Sequence, residues 1–200
     1  MDIKNIIKNL HPLEIKVLLK YSGKDELTSE KLQNDLNYKE GHANQAFSWL
    51  SGKELCHEVK RTPHTFYEIT DMGKLLAKTG TVEERVVSFL KEKGAHSLPQ
   101  IADELKIDNK DLGSAFGQLS KDGVLKMNSE KLAEYTGKPL PEKFGRISAL
   151  IRKAAASSDG QLNKDELTAE EQDVISGLAK KRGASDSPFK IINRETVVYK

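Results

Sequence analysis

Ala46-Phe47-Ser48-Trp49-Leu50-Ser51-Gly52-Lys53-Glu54-Leu55 returns 69 positions later as Ala115-Phe116-Gly117-Gln118-Leu119-Ser120-Lys121-Asp122-Gly123-Val124. The shared pattern is Ala-Phe-x-x-Leu-Ser, followed after three positions by Leu or Val. Upstream, Leu32 and Leu36 fall on Ile101 and Leu105 at the same offset. A fixed period of this kind marks one structural unit used more than once. The chain therefore reads as an array of small modules rather than as one catalytic core.

Composition agrees. Only 37% of the 200 residues are hydrophobic and 31% are charged. Small domains have more surface per residue, so they carry less core and more charge. There is no apolar run long enough for a transmembrane helix. Met1 to Lys8 does not read as a signal peptide, since Asp2 comes before any basic residue and no long apolar stretch follows. A single cysteine, Cys56, excludes an internal disulfide framework and predicts a reducing cytoplasm.

The net charge of +2 is unevenly spread. Residues 1–81 carry 12 basic and 11 acidic side chains, 82–137 carry 8 and 10, and 138–200 carry 12 and 9. Coating of nucleic acid by bulk positive charge is thereby excluded, and any such contact has to be local.

Outward from the repeat, the first unit begins at His11 and Pro12, where a helix can start at no cost in hydrogen bonds. Leu13, Val17 and Leu18 recur at helical spacing up to Gly23. Thr28 or Ser29 caps a second helix with Leu32 and Leu36. A third runs from about Lys39 to Gly52. Leu55–Lys60 and Thr65–Thr70 then read as two strands, with Arg61-Thr62-Pro63-His64 as the turn between them. Asp71 opens a short helix through Lys78. Three helices followed by a hairpin is the order of a winged helix-turn-helix domain. The second unit repeats it more compactly. Val86, Phe89 and Leu90 line its first helix, Ile101, Ala102 and Leu105 its second, and Leu112, Ala115, Phe116 and Leu119 its third, before a strand at Val124–Met127. Lys138-Pro139-Leu140-Pro141 reads as a linker. A third unit is eroded: a helix with Phe144, Ile147, Leu150 and Ile151, a turn at Asp159-Gly160, and a helix capped by Thr168. Ile191-Ile192 and Val197-Tyr199 read as a closing hairpin around Asn193-Arg194-Glu195-Thr196. The chain stops at that strand, an end that reads as a boundary cut within a longer protein. The expected fold is mainly α with small β-hairpins, an α+β class. The expected domains are 1–80 and 81–137 as winged-helix domains and 138–200 as a degenerate third.

No phosphate loop, dinucleotide fingerprint or nucleophile elbow is present. Among the five histidines and the cysteine, only Cys56-His57 are close, and neighbours on a strand point to opposite faces. No catalytic and no metal-ligating residues are expected. Cys56 reads as a buried strand residue and Trp49 as core. A winged helix places its third helix in a groove of nucleic acid and its wing on the backbone. The face of the first third helix opposite Ala46 and Leu50 carries Lys39, His42, Asn44 and Gln45. The expected wing carries Lys60, Arg61 and His64. In the third unit Arg146 and Lys153 share one helix face, and Lys180, Lys181 and Arg182 form a basic cluster where a helix ends. A solvated helix face and hairpin tip explain the first two groups equally well, and complementation of the helix dipole explains the last.

Ala46 to Leu55, Tyr67-Glu-Ile-Thr-Asp-Met-Gly-Lys74, Val82-Glu-Glu-Arg-Val86 and the second repeat together resemble the N-terminal region of the α subunit of archaeal- and eukaryotic-type phenylalanyl-tRNA synthetase. The resemblance is clearest from about residue 10 to 137. It implies tandem winged-helix-like domains that help to hold tRNA, with the synthetase β subunit as a partner of the whole protein. It also implies that ATP and Mg are needed only by a catalytic domain lying outside this chain, so that the chain alone has no ligase activity and no cofactor. Two readings stand beside it: a winged-helix DNA-binding transcription regulator, and a protein-docking adaptor. The acidic second unit and the lack of an evident dimerisation helix disfavour the regulator.

Overall fold

The computed structural model describes residues 3–180, 183 and 186–200. The chain divides into two compact units. One comprises residues 1–64 together with 193–200, and the other residues 65–192. The boundaries read at 80 and 137 thus fall inside the second unit.

In the first unit, α1 (Ile3–Lys8) precedes α2 (Pro12–Lys20), α3 (Ser29–Leu36) and α4 (Glu40–Gly52). Each of the last three starts where its sequence says. His11 and Glu14 form a capping box ahead of Pro12. The Thr28 side chain accepts from the Lys31 amide, and Asn37 ends α3 in the left-handed region. Val17, Leu32, Ala43, Ala46, Phe47 and Leu50 close on one another as the core. Glu14 is fully buried beneath them; its carboxylate accepts from the His11 amide at 2.7 Å and pairs with Lys53 at 2.6 Å.

The strands differ from expectation. Residues 55–70 are not a hairpin, because β1 runs unbroken over Glu58–Ile69. The closing hairpin is likewise absent, since Phe189–Tyr199 is one strand, β6. The two are neighbours in a four-stranded sheet. Tyr199 reaches the first core, where its ring stacks on Phe47 with centroids 4.2 Å apart. Tyr199 and Leu27 exchange two backbone hydrogen bonds of 2.8 Å, and His57 and Lys200 exchange two more.

The second unit holds two hydrophobic clusters. The first is built by α6 (Val82–Lys93), α7 (Leu98–Leu105), α8 (Asn109–Lys121) and the hairpin of β2 (Leu125–Met127) and β3 (Ala133–Tyr135). Thr81 and Glu84 make the capping box of α6, and Pro99 lies in the first turn of α7. Leu112, Ala115 and Leu119 are buried on α8, while Phe116 is half-buried. The repeat thus places Ala115 and Leu119 as α4 places Ala46 and Leu50.

The second cluster gathers Tyr67 and Ile69 of β1, Leu150, Ile151 and Ala154 of α9 (Glu142–Ala156), Leu162, Leu167, Ile175 and Phe189. Here α5 (Asp71–Thr79) packs on α9. Leu162 lies on β4 (Gln161–Asn163), which pairs antiparallel with β1 through Tyr67 opposite Leu162. Ile175 lies on α10 (Ala169–Leu178), and β5 (Ala179–Lys180) runs parallel to β6. The sheet order is β4-β1-β6-β5. Helices and small sheets together make an α+β fold. Among the described residues, no helix is long and apolar enough to cross a membrane.

Candidate nucleic-acid interface

Helix α4 turns its two faces as its periodicity demands. Ala43, Ala46, Phe47 and Leu50 are buried, and Lys39, His42, Asn44 and Gln45 are exposed. Lys39 is the N-cap residue and makes no side-chain cap. The exposed face therefore presents amide and imidazole groups with one cation at its edge. Trp49 does not enter the core; it is half-buried, with its ring 4.5 Å from that of His11. Cys56 is buried, as expected, but precedes β1 rather than lying on it. Burial pushes its thiol up, against a smaller opposing effect from the Ser51 hydroxyl.

Lys60, Arg61 and His64 lie along β1, not at the tip of a wing. Lys60 is exposed and His64 half-buried. Arg61 is held by carboxylates. Its Nε and Nη2 donate to the two oxygens of Glu58 at 2.8 and 2.6 Å, and its Nη1 donates to Glu195 at 2.5 Å. The hydrogen bonds to Glu58 and Glu195 push the guanidinium up, and the same contact holds the Glu58 carboxyl below the usual range. One cation between two carboxylates leaves this trio with a net negative charge.

The cations expected in the third unit are also paired. Arg146 reaches Glu142 at 3.3 Å, one turn earlier on α9. Lys153 reaches Glu171 at 3.6 Å. Lys180 donates to both oxygens of Asp186, at 3.0 and 3.1 Å, and holds that carboxyl below its ordinary range. Lys180 lies on β5, past the end of α10, so it does not serve the last turn of that helix as a dipole partner. Lys181 and Arg182 lie outside the described residues. The pairs of Arg61, Arg146 and Lys180 are exposed, whereas Glu171 beside Lys153 is half-buried; exposed ion pairs contribute only about 0–1 kcal/mol. A phosphate oxygen can therefore replace the carboxylate at little cost.

A feature passed over in the sequence lies between α5 and α9. There the second unit opens a groove of about 860 Å³. Lys74 and Lys78 stand on its α5 side and Arg152 on its α9 side, above small residues including Ala77, Ala155 and Gly160. The signal available in the sequence was the spacing of Lys74 and Lys78, four apart and hence on one helix face. Arg152 joins them only through packing. Among the described residues, no three His, Cys, Asp or Glu side chains come together as a metal cage.

No protein-family model matches the chain. Curated relatives do. The phenylalanine–tRNA ligase alpha subunit of Treponema pallidum is 37% identical over an alignment covering 99% of this chain and 41% of that protein. That of Borreliella burgdorferi is 34% identical, covering 95% and 35%. The alpha subunit of the archaeon Methanopyrus kandleri is 25% identical, covering 92% and 36%. The resemblance read from the sequence is thus matched by relatives along nearly the whole chain, which spans between about a third and two-fifths of their length.

Proposed function

We propose, from the chain's kinship with phenylalanine–tRNA ligase alpha subunits, that it is the non-catalytic tRNA-binding extension of such a subunit. It acts in the cytoplasm, beside a catalytic portion and a β subunit that it does not contain. ATP and magnesium belong to that catalytic portion. The observation carrying this reading is the coverage: the kinship takes in 99% of this chain and only 41% of a relative. The three hydrophobic clusters are read as three winged-helix-like modules, with the third degenerate.

Contact with tRNA is assigned to the exposed face of α4 (Lys39, His42, Asn44, Gln45), to Lys60, Arg61 and His64 of β1, and to Arg146, Lys153, Lys180, Lys181 and Arg182. Of these, the α4 face and Lys60 contribute directly. Arg61, Arg146 and Lys180 exchange an exposed carboxylate for phosphate, and Lys153 exchanges the half-buried Glu171. With so little net charge, binding is weak, with dissociation constants of about 10⁻⁴–10⁻⁶ M at physiological salt.

Filter binding of tRNA(Phe) transcript across a salt series tests this. Affinity falling as salt rises is expected; no binding at low salt overturns the reading. Pyrophosphate exchange with phenylalanine and ATP should stay at background, and exchange by a preparation free of host synthetase overturns the non-catalytic assignment.

A further inference from the structure

We infer that the groove between α5 and α9 is a binding site for the phosphodiester backbone of RNA, held by Lys74, Lys78 and Arg152. The inference rests on the chain being an RNA-binding module and places a contact where none of the expected interface residues lies.

The groove has the size of a ligand site, about 860 Å³ against the usual range of roughly 300–1,000 Å³. Its walls are low. Ala77 and Ala155 carry little side chain, so a strand can lie along the seam where the two helices pack. Its cations stand on opposite sides, two on α5 and one on α9. A small anion would need these charges to converge on one point. A strand carrying a phosphate at each nucleotide instead suits charges set apart along a channel, and such contacts position RNA without reading its sequence.

The cations are available for this. Lys74 meets Asp71 at 3.6 Å and Arg152 meets Glu84 at 3.8 Å, both at long range and with the cation well exposed. Pairs of that kind contribute little. Two carboxylates also line the groove, and both are engaged along its wall. Glu68 accepts from the Gln161 amide group at 3.1 Å. Asp159 accepts from the Ser157 hydroxyl at 2.6 Å and the Gln161 backbone at 3.1 Å. Glu84 is occupied in the same way, accepting from the Thr81 amide and the Ser148 hydroxyl. Hydrogen bonds therefore hold the acids in place, while the lysines and the arginine ride on long stems able to turn toward a strand.

The test uses the whole 200-residue chain and a tRNA(Phe) transcript. Replacing all three cations together (Lys74→Gln, Lys78→Gln, Arg152→Gln) removes up to three phosphate contacts. The slope of log K against log salt should fall by about 2–3, with an unchanged far-ultraviolet spectrum and melting temperature. A Lys39→Gln/Lys60→Gln variant, which strips the α4 side instead, should retain the groove's share of the slope. Independently of any substitution, saturating tRNA should protect Lys74 and Lys78 of the wild-type chain from amine acylation, read by mass spectrometry against Lys24. An unchanged slope in the triple variant, or unprotected Lys74 and Lys78, overturns the groove while leaving tRNA binding intact. A wild-type chain that binds no tRNA overturns both.

Discussion

Cutting the chain after Ile192 should unfold residues 1–64, although the cut lies 128 positions beyond them. The first unit is completed by residues 193–200. Removing them deletes four backbone hydrogen bonds, two between Leu27 and Tyr199 and two between His57 and Lys200, all 2.8–2.9 Å long. At a net of about 0.5–1.5 kcal/mol each, these contribute ~2–6 kcal/mol. The parallel stack of Tyr199 on Phe47 adds roughly 0.5–1.5 kcal/mol beyond its burial. The Arg61–Glu195 pair is exposed on both sides and adds about 0–1 kcal/mol. Water can satisfy the freed groups, so the lower half of the sum is the better guide, about 3–5 kcal/mol. Domains have only about 5–15 kcal/mol in all, and small ones sit near the bottom of that range. Hydrogen exchange read by mass spectrometry is the assay. Peptides from α2, α3 and α4 should lose most of their protection in the shortened chain, while α6, α7 and α8 keep theirs. Unchanged protection in α2 to α4 would show that the three helices stand without their distant strand, and the closure described here would be wrong.

Phe47→Ala should cost roughly 3–5 kcal/mol, because Phe47 is buried. Phe116→Ala, at the half-buried equivalent, should cost clearly less; equal losses in chemical denaturation would contradict the difference in packing. Gly73→Ala should destabilise the second unit by about 1–3 kcal/mol, since an added Cβ runs into the Pro188 carbonyl oxygen and the Ile69 side chain; a wild-type melting temperature would refute it. Burial, and then the hydrogen bond and charge of Asp35, push the Tyr21 phenol up to about 12. The fold thus favours the neutral phenol. Its contribution to stability is complete below pH 10 and fades as the pH rises through about 12. Asp35→Asn should move the 295 nm titration toward lower pH without returning it to the ordinary value, since burial remains; superimposable titrations would refute the assignment.

What the sequence made legible was whatever is decided within one turn of helix. Thr28 and Thr168 cap the helices that their positions announce. The burial of α4 and α8 follows their apolar spacing. The strands failed for a physical reason. Arg61-Thr62-Pro63-His64 and Asn193-Arg194-Glu195-Thr196 are polar enough to pass for turns. Their polarity instead marks the exposed stretches of two long strands. Turn chemistry acts over four residues, whereas the pairing of β1 with β6 joins segments some 130 positions apart, as Arg61 and Glu195 show. No local window contains both strands, so local signals alone suggest that each folds back upon itself.

Charge shows the same division between what is local and what is not. A sequence gives the sign of a side chain but not its neighbour. The Glu142–Arg146 pair was readable, since four residues on a helix set them side by side. Glu195 beside Arg61, Glu171 beside Lys153 and Asp186 beside Lys180 were not. These partners turn apparent basic clusters into pairs with little field beyond a Debye length. The positive charge offered most readily to a polyanion is then the charge whose carboxylate is most loosely held. Lys74 and Arg152 are held less tightly than Arg61, with carboxylates at 3.6 and 3.8 Å, as Lys153 is at 3.6 Å, while Arg61 is gripped at 2.5–2.8 Å by two. Neither residue stands out in the sequence. Lys74 shares its helix face with Lys78, and Arg152 comes opposite them only because α5 and α9 pack together. If the chain holds RNA as proposed, the contacts depend on which cations the fold leaves loosely held, and that is settled by packing rather than by composition.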